Sequence, residues 1–380
     1  MMSAIDRWKR ISRERIRDVS RRLEGFSGRL GVWNITDHNQ QVGFASCGAW
    51  HERLRFKRLY LESENTKRSF RFVTSFKLES ELMRERERLG LVVLNGSEGN
   101  SSLKSHVLRI PRFVSLVVDL PDTIEEYFNS LPTNRKRQVR QATDRGYRVE
   151  YTRETIFCRE FIRAYNMPTV QNSHGDEGIT TKENELIKLL RESDTEIMKV
   201  LQGDKCILAG ICINTGHAYR LYKVGWLNGD TRWVKEGAHT FHIWQAIIRA
   251  RELGLSILDL GGTPPFLDDG VFNYKMRWNA RLNTKRQTLG KHCLLMNPGH
   301  PAVQSFFQRH SMIVYDSVNR IYFCSGHRPS NLKLCKGILE GISGWWRLAS
   351  PQEAKDRGLD IEPSNGMPSG WFVPEPLEDL

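Results

Sequence analysis

The sequence predicts an α+β fold, a mixed and mostly antiparallel sheet flanked by helices. Three observations carry that expectation: three apolar runs joined by tight turns between residues 197 and 225, a helical period from 237 to 253, and a buried-type run at 257–260. Ile197 to Leu201 reads as a strand and Gln202 to Lys205 as a turn. Ile207 to Ile213 and Ala218 to Gly225 follow, separated by Asn214-Thr215-Gly216. Connections this short pair their strands antiparallel. After a loop from Leu227 to Glu236, Gly237-Ala238 opens a helix. Phe241, Trp244, Ile247, Ile248 and Leu253 keep its period, and Gly254 ends it. Ile257 to Leu260 then reads as a strand, and a helical crossover into it needs a parallel or splayed partner.

Upstream, Val114 to Leu120 is an apolar β-type run. Pro121-Asp122 starts a helix with Asp122 as N-cap and Glu125 three residues on, a capping-box pattern. Pro132 breaks it, Thr133 caps a second helix over Asn134 to Arg145, and Gly146 closes that helix. Tyr147 to Tyr151 alternates like a strand. Pro168 to Thr180, rich in Gly, Asn, Ser and Asp and containing His174, reads as a long lid-type loop. Earlier, Leu30 to Ile35 and Leu91 to Leu94 read as short strands, and Leu78 to Leu89 as a helix ending at Gly90. Ile5, Trp8, Ile16, Val19 and Leu23 share one face of an N-terminal surface helix. Asn95 to Ser102 is a boundary loop. The expected division is an N-terminal lobe over 1–110, a main domain over 111–310, and a C-terminal extension and tail over 311–380. Within the last, Trp345-Trp346 covers the core, and the acidic Pro/Gly-rich stretch Pro363 to Leu380 is partly disordered.

A chain of 380 residues exceeds one typical domain, and its net charge of +13 attracts polyanions: nucleic acid, anionic lipid headgroups or phosphorylated small molecules. The seven cysteines are scattered with no CxxC, which implies a reducing compartment, the cytoplasm. Cys206 and Cys212 lie in an apolar run as small core residues. No run of about eighteen apolar residues occurs, so no transmembrane helix is expected, while peripheral membrane contact stays open.

Several patterns carry chemistry. A small-residue helix start at Gly237-Ala238, with Lys235 beside it, is either an anion site made of backbone amides or an ordinary helix start. Arg135, Lys136, Arg137, Arg140 and Arg145 crowd one helix, forming either a solvated face or an anion-facing surface. Asp259-Leu260-Gly261-Gly262 ends a strand at an acidic residue and a glycine pair. A Pro-stiffened loop then leads to Asp268 through Trp278. His239 and His242 have no carboxylate or cysteine at supporting spacing, so no metal is expected. No Ser-His-Asp or Cys-His spacing stands out.

In this order, the basic helix before Gly146, Lys235-Glu236-Gly237-Ala238, Asp259-Leu260-Gly261-Gly262 and Asp269-Gly270-Val271-Phe272-Asn273-Tyr274-Lys275 resemble the FemABX-like branch of the GNAT acyltransferase superfamily. The resemblance spans Pro111 to Trp278. It implies one or two GNAT-like lobes and N-acyl transfer to an amine-bearing, anionic acceptor, in cell-envelope, polysaccharide or natural-product synthesis. The donor it implies is acyl-CoA or, alternatively, aminoacyl-tRNA. Lys275 matches the family lysine that contacts substrate phosphate, although the usual Phe-Lys reads here as Tyr274-Lys275. On that reading Lys275, Asp259 and Asp269 are catalytic. Lys235, Gly237 and Ala238 hold the donor pyrophosphate, and Arg137, Arg140 and Tyr274 meet substrate. A different class of reading is a non-catalytic nucleic-acid or surface-binding protein on the same scaffold.

Overall fold

The computed structural model describes residues 29–37, 40–47, 66–72, 75–95, 107–174, 182–283, 291–316, 319–327, 342–359 and 370–375. The N-terminal helix, the boundary loop beyond Asn95 and most of the acidic tail lie outside them. Along the chain, strands β1 (Arg29–Asp37), β2 (Gln40–Cys47) and β3 (Thr66–Phe72) precede helix α1 (Ser75–Leu89) and strands β4 (Gly90–Asn95) and β5 (Val107–Pro111). Next come β6 (Val114–Asp119), α2 (Ile124–Ser130), α3 (Thr133–Thr143) and β7 (Arg148–Thr152). Helix α4 (Phe157–Glu160) runs through a π-helical segment, Phe161–Asn166, into α5 (Met167–His174), and α6 (Glu183–Glu192) follows. The meander β8 (Thr195–Gln202), β9 (Lys205–Asn214) and β10 (Tyr219–Trp226) leads through α7 (Arg232–Lys235) to α8 (Ala238–Glu252) and β11 (Ile257–Thr263). After α9 (Gly270–Met276) come β12 (Arg281–Leu282), β13 (Lys291–Met296), α10 (Pro301–Arg309), β14 (Met312–Tyr315) and β15 (Ile321–Ser325). Strand β16 (Gly344–Leu348), α11 (Pro351–Asp356) and β17 (Phe372–Glu375) end the order.

The fold is α+β with two mixed, mostly antiparallel sheets. One has seven strands in the order β12-β6-β11-β10-β9-β8-β7, and the other has ten, β17-β16-β15-β14-β5-β13-β4-β2-β1-β3. In the first, every pairing is antiparallel except β10 with β11. Strands on both sides of the boundaries expected near 110 and 310 are joined in the ten-stranded sheet, where β13 lies between β4 and β5 and β14 pairs with β5. The sheets share a core: Leu116, Leu258, Phe272 and Trp278 cluster with Ile313, Phe323 and Trp345. Trp345 and Trp346 are buried, with the Trp345 indole N–H donating to Ser325 Oγ. Strand β17 of the tail pairs with β16 across them.

Local details depart from the sequence expectation in instructive ways. Thr123, not Asp122, caps α2: its backbone is extended and its hydroxyl accepts from the Glu126 amide at 3.1 Å. The cap has moved one residue. The stretch from Leu227 to Glu236 is not a loop but a 3-10 turn followed by α7. Residues 168–174, expected as a lid loop, continue the α4 helix as α5. Helix α3 is not solvated all round, since Arg135, Val139 and Ala142 form a buried face.

Two glycines allow close approaches in the seven-stranded sheet. A Cβ at Gly225 would stand 2.5 Å from the Tyr165 carbonyl carbon, so the π-helical segment lies directly on β10. A Cβ at Gly210 would stand 2.2 Å from His242 Nε2, which ties β9 to the inner face of α8. Gly210→Ala should therefore cost ~1–3 kcal/mol by overpacking. His242→Ala in the same chain should recover part of that loss, because the two changes share one space. Denaturant unfolding of the singles and the double checks this, and a Gly210→Ala protein as stable as wild type would refute the contact.

Candidate functional site

Strands β10 and β11 pair in parallel only through Tyr219↔Leu258 and Arg220↔Asp259. Just beyond, β10 shifts register against β9 between Leu221 and Lys223, and β11 shifts against β6 between Asp259 and Gly262. Gly261 takes φ +76, and a Cβ there would meet the Leu221 carbonyl oxygen at 2.9 Å. The glycine pair thus lets β11 bend where the parallel ladder stops. This is the carboxyl end of two parallel strands joined by a helical crossover, a position where open sheets take ligands.

Lys275 fills that point. Asp269 caps α9, its Oδ1 accepting from the Val271 and Phe272 amides at 2.9 Å each. Phe272 and Met276 anchor the helix in the core. Lys275 then reaches back to β11, where its ammonium donates to the Gly261 carbonyl at 3.1 Å and the Gly262 carbonyl at 2.8 Å. Burial lowers its pKa to about 8, against the pull of Asp259 and Asp269 toward the charged form.

Both aspartates are already hydrogen-bonded in this geometry. Asp259 is 1% exposed and accepts from Ser115 Oγ at 3.0 Å, the Gly261 amide at 2.8 Å and Arg220 Nε at 2.8 Å. Asp269 is engaged by the cap of α9. Both expected catalytic carboxylates thus lie near Lys275, Asp259 bonded to three donors and Asp269 engaged as the helix cap.

The amide cradle expected over Lys235 to Ala238 is also altered. The amides of Lys235, Glu236 and Gly237 already donate to the carbonyls of Thr231, Arg232 and Val234, closing α7. Lys235 is exposed and Ala238 packs its methyl into the core. Gly237 sits at φ 95 as the N-cap of α8, and no side chain caps the helix. The donors that have no acceptor within α8 belong to its first turn, Ala238 to Thr240. Tyr147 Oη donates to the Glu236 carbonyl at 3.3 Å and Ala142 packs on Gly237, fixing that turn against α3.

The α8 start faces Tyr274 and Lys275. His239 stacks on Tyr274 with ring centroids 5.2 Å apart, and lies 6.1 Å from His242 and 6.3 Å from Trp226. Burial, then Lys275 and Arg135, lower His239 to about 4; burial, then His239, lowers His242 to about 3. Among the described residues no group of three or more His, Cys, Asp or Glu side chains gathers as a metal site. Among them, too, no helix is long and apolar enough to cross a membrane.

Of the expected substrate residues, Arg137 and Arg140 point outward. Arg137 donates to Asn134 Oδ1 at 2.9 Å and Arg140 lies 5.2 Å over the Phe128 ring. Arg135, which the sequence sets among the basic residues of this helix without singling it out, is the one that turns inward. It is 2% exposed, with its guanidinium 4.8 Å from the Tyr274 ring centroid and 4.5 Å from that of Trp278. Its Nη2 donates to the Tyr274 carbonyl at 3.3 Å. The signal was present in the spacing: Arg135, Val139 and Ala142 fall at i, i+4 and i+7, the inward positions of α3.

Neither a family model nor a curated protein matches the chain. Among solved structures it is similar to FemX, at 12% identity and a TM-score of 0.38, over 72% of this chain and 84% of that one. It is similar to L-PGS from Bacillus licheniformis at 9% identity and a TM-score of 0.34, over 70% and 81%. A GCN5-related N-acetyltransferase from Sphaerobacter thermophilus aligns at 10% identity and 0.32, over 70% and 75%. At such identities and scores the likeness says nothing about chemistry, which has to come from the residues.

The two depressed histidines carry a pH signature. Their folded pKa values lie below the ordinary 6.5, so the unfolded chain binds more protons below that pH. Stability attached to His242 is complete above pH 6.5 and is lost as pH falls from 6.5 toward about 3. The loss is at most ~1.4 kcal/mol per pH unit. His242→Leu should flatten this acid limb in melts run from pH 7 downward, and an unchanged limb would refute the buried neutral imidazole.

Proposed function

We propose that the chain is an N-acyltransferase moving an acyl group from acyl-CoA to an amine, in the cytoplasm. The observation that carries this reading is the opened parallel pair at Gly261-Gly262, with the Lys275 ammonium seated in it beside the uncapped first turn of α8. Acyl-CoA supplies a thioester: the amine nitrogen bonds its carbonyl carbon, the C–S bond breaks, and the amine proton leaves with the thiol.

The chain's own groups suit that task. Where the parallel ladder of β10 and β11 ends, strand edges can pair with a thin amide-containing arm. The α8 start offers donors to phosphate, with Lys235 exposed nearby. Lys275 uses two of its protons on Gly261 and Gly262 and keeps the third for an oxyanion or phosphate. Asp259 and Asp269 act through Lys275 by holding it charged. Tyr274 steadies His239 by stacking, and Arg137 and Arg140 give the rim of α3 a positive edge for an anionic acceptor. A cell-envelope, polysaccharide or natural-product amine fits an anionic acceptor of this kind.

A second reading keeps the chemistry and takes aminoacyl-tRNA as donor. The net charge of +13 and the exposed arginines of α3 favour it. Salt separates the two: binding through many phosphates weakens steeply, ~10³–10⁵ between 50 and 200 mM salt, whereas CoA binding changes modestly. A binding protein without catalysis would instead hold nucleic acid undiminished after Lys275 is removed.

The test pairs binding with turnover. Acetyl-CoA, longer acyl-CoAs and charged tRNA are screened by thermal shift, where a ligand at 100 times its Kd adds ~2.7 kcal/mol. The stabilising donor is then mixed with pooled amines, and product release is followed. Lys275→Ala should lower turnover at least ~tenfold and commonly ~10²-fold. In the wild type, turnover should fall as pH rises past about 8, because the ammonium is the working form. Wild-type turnover in Lys275→Ala, or a rate indifferent to that titration, would end the assignment.

A further inference from the structure

Beside Lys275 lies a cluster of buried donors that the proposed donor site does not use. Arg135 Nε and Nη1, Trp278 Nε1 and Tyr274 Oη make no hydrogen bond of good geometry; the Tyr274 hydroxyl, which lies in weak reach of Arg135, Trp278 and Thr240, is one neutral oxygen among several donors. Arg135 is 2% exposed and Trp278 0%. Leaving such groups unmet is costly, and more so for a charged one. Stacking over Tyr274 and Trp278 compensates the guanidinium face but not its N–H edge.

The chemistry of the unmet groups defines their complement. A guanidinium and an indole N–H can only donate, and so can the remaining proton of the Lys275 ammonium. The groups that act on Arg135 are the phenols Tyr274 and Tyr127 and the cation Arg277, so its described surroundings hold no countercharge. The complement is therefore an acceptor with negative charge, and a guanidinium matches the planar or tetrahedral oxygens of carboxylate and phosphate. We infer that Arg135 and Trp278 form a binding site for a carboxylate or phosphate group of the substrate, held next to Lys275.

The word substrate rests on the acyl-transfer reading; anion binding at Arg135 does not. Helix α3 thus has two roles by face. Its inner arginine anchors one anionic group, and its outer arginines form the rim. The site would orient an acceptor by its acidic end and leave its amine toward the opened strands.

The experiment uses the full chain and two probes, inorganic phosphate and succinate, titrated by calorimetry at constant ionic strength set with chloride. Wild type should bind at least one of them saturably. Phosphate alone names a phosphate-bearing substrate, and succinate alone names a carboxylate-bearing one. Arg135→Met should weaken that binding at least ~tenfold, in keeping with the loss of a charge-assisted contact. Arg135→Lys should fall between the two, and Trp278→Phe should lose less than Arg135→Met, because one neutral donor is removed. If Arg135→Met does not fold, Arg135→Lys and Trp278→Phe carry the comparison. Acetyl-CoA binding is measured in parallel. Retained acetyl-CoA affinity with lost anion affinity in the variants supports a separate site. Absent acetyl-CoA binding in a wild type that still binds the anion would sink the CoA reading and leave this site standing. Wild type binding neither probe saturably would overturn the inference, and so would a folded Arg135 variant binding as tightly as wild type.

Discussion

Opening a parallel strand pair inside a sheet strips backbone N–H and C=O groups of their ladder partners, and buried groups of that kind must be met some other way. At the end of β11 the carbonyls of Gly261 and Gly262 are met by the Lys275 ammonium. Much of the surrounding architecture follows from placing that amine. Helix α9 has to begin at Gly270, behind the Asp269 cap, for its sixth residue to reach back to β11. Gly261 has to be a glycine, because its φ of +76 and its approach to the Leu221 carbonyl exclude a side chain. Asp259 is pinned by Arg220, Ser115 and the Gly261 amide, which fixes the position of its carboxylate at the end of the parallel ladder. Desolvation still outweighs the two aspartates, since the lysine titrates near 8 rather than in the ordinary lysine range.

Charge around this point is sorted by how firmly it is held. The carboxylates here are committed: buried Asp259 as above, half-buried Asp269 to the α9 amides, and buried Glu196 to Arg249 and the Tyr219 hydroxyl. The cations Lys275 and Arg135 are not matched by free carboxylates. Positive potential therefore accumulates, and the neighbouring imidazoles respond by staying neutral, His239 near 4 and His242 near 3. A neutral His239 can stack flat on Tyr274, where a third cation would have added repulsion to desolvation. The site is thus tuned toward anions without any of its histidines being charged at neutral pH.

How much of this could be read from residues alone depended on range. The meander over β8, β9 and β10 and the start and stop of α8 were legible, because alternation, turn residues and helical period are local signals. The ten-stranded sheet was not, since Ile110 pairs with His292 and Tyr322 with Gly344, and no local pattern specifies partners so distant. Lys275 and the Asp-Gly-Val-Phe turn were singled out by motif, while the capping role of Asp269 hides behind the same letters that suggest a base. At Asp122 and Thr123 two competent caps stand side by side, and only the extended backbone at Thr123 decides between them. The amides of Lys235 to Gly237 looked available because α7, four residues long, has no periodic signature. Arg135 was masked by its neighbours: among several basic residues on one helix, composition suggests a solvated face, whereas the shared period with Val139 and Ala142 places one arginine inward.

That inward arginine is where stability and function separate. Replacing a buried, incompletely paired ion by an apolar side chain of similar volume is often neutral or stabilising. Packing alone would then favour methionine or leucine between α3 and α9. What stands there is a cation over two aromatic rings, with Tyr274 and Trp278 contributing polar atoms that are themselves unmet. The same condition extends through the ring contacts of His239 to His242 and Trp226, both of which also carry buried polar atoms without partners. Such a network is costly when half satisfied and stiffening when filled. Its members come from α3, α8, α9 and β10, so an anion that completed it would tie together the four elements around the opened strands. Binding there would then act on the geometry of Lys275 as well as on the ligand that it holds.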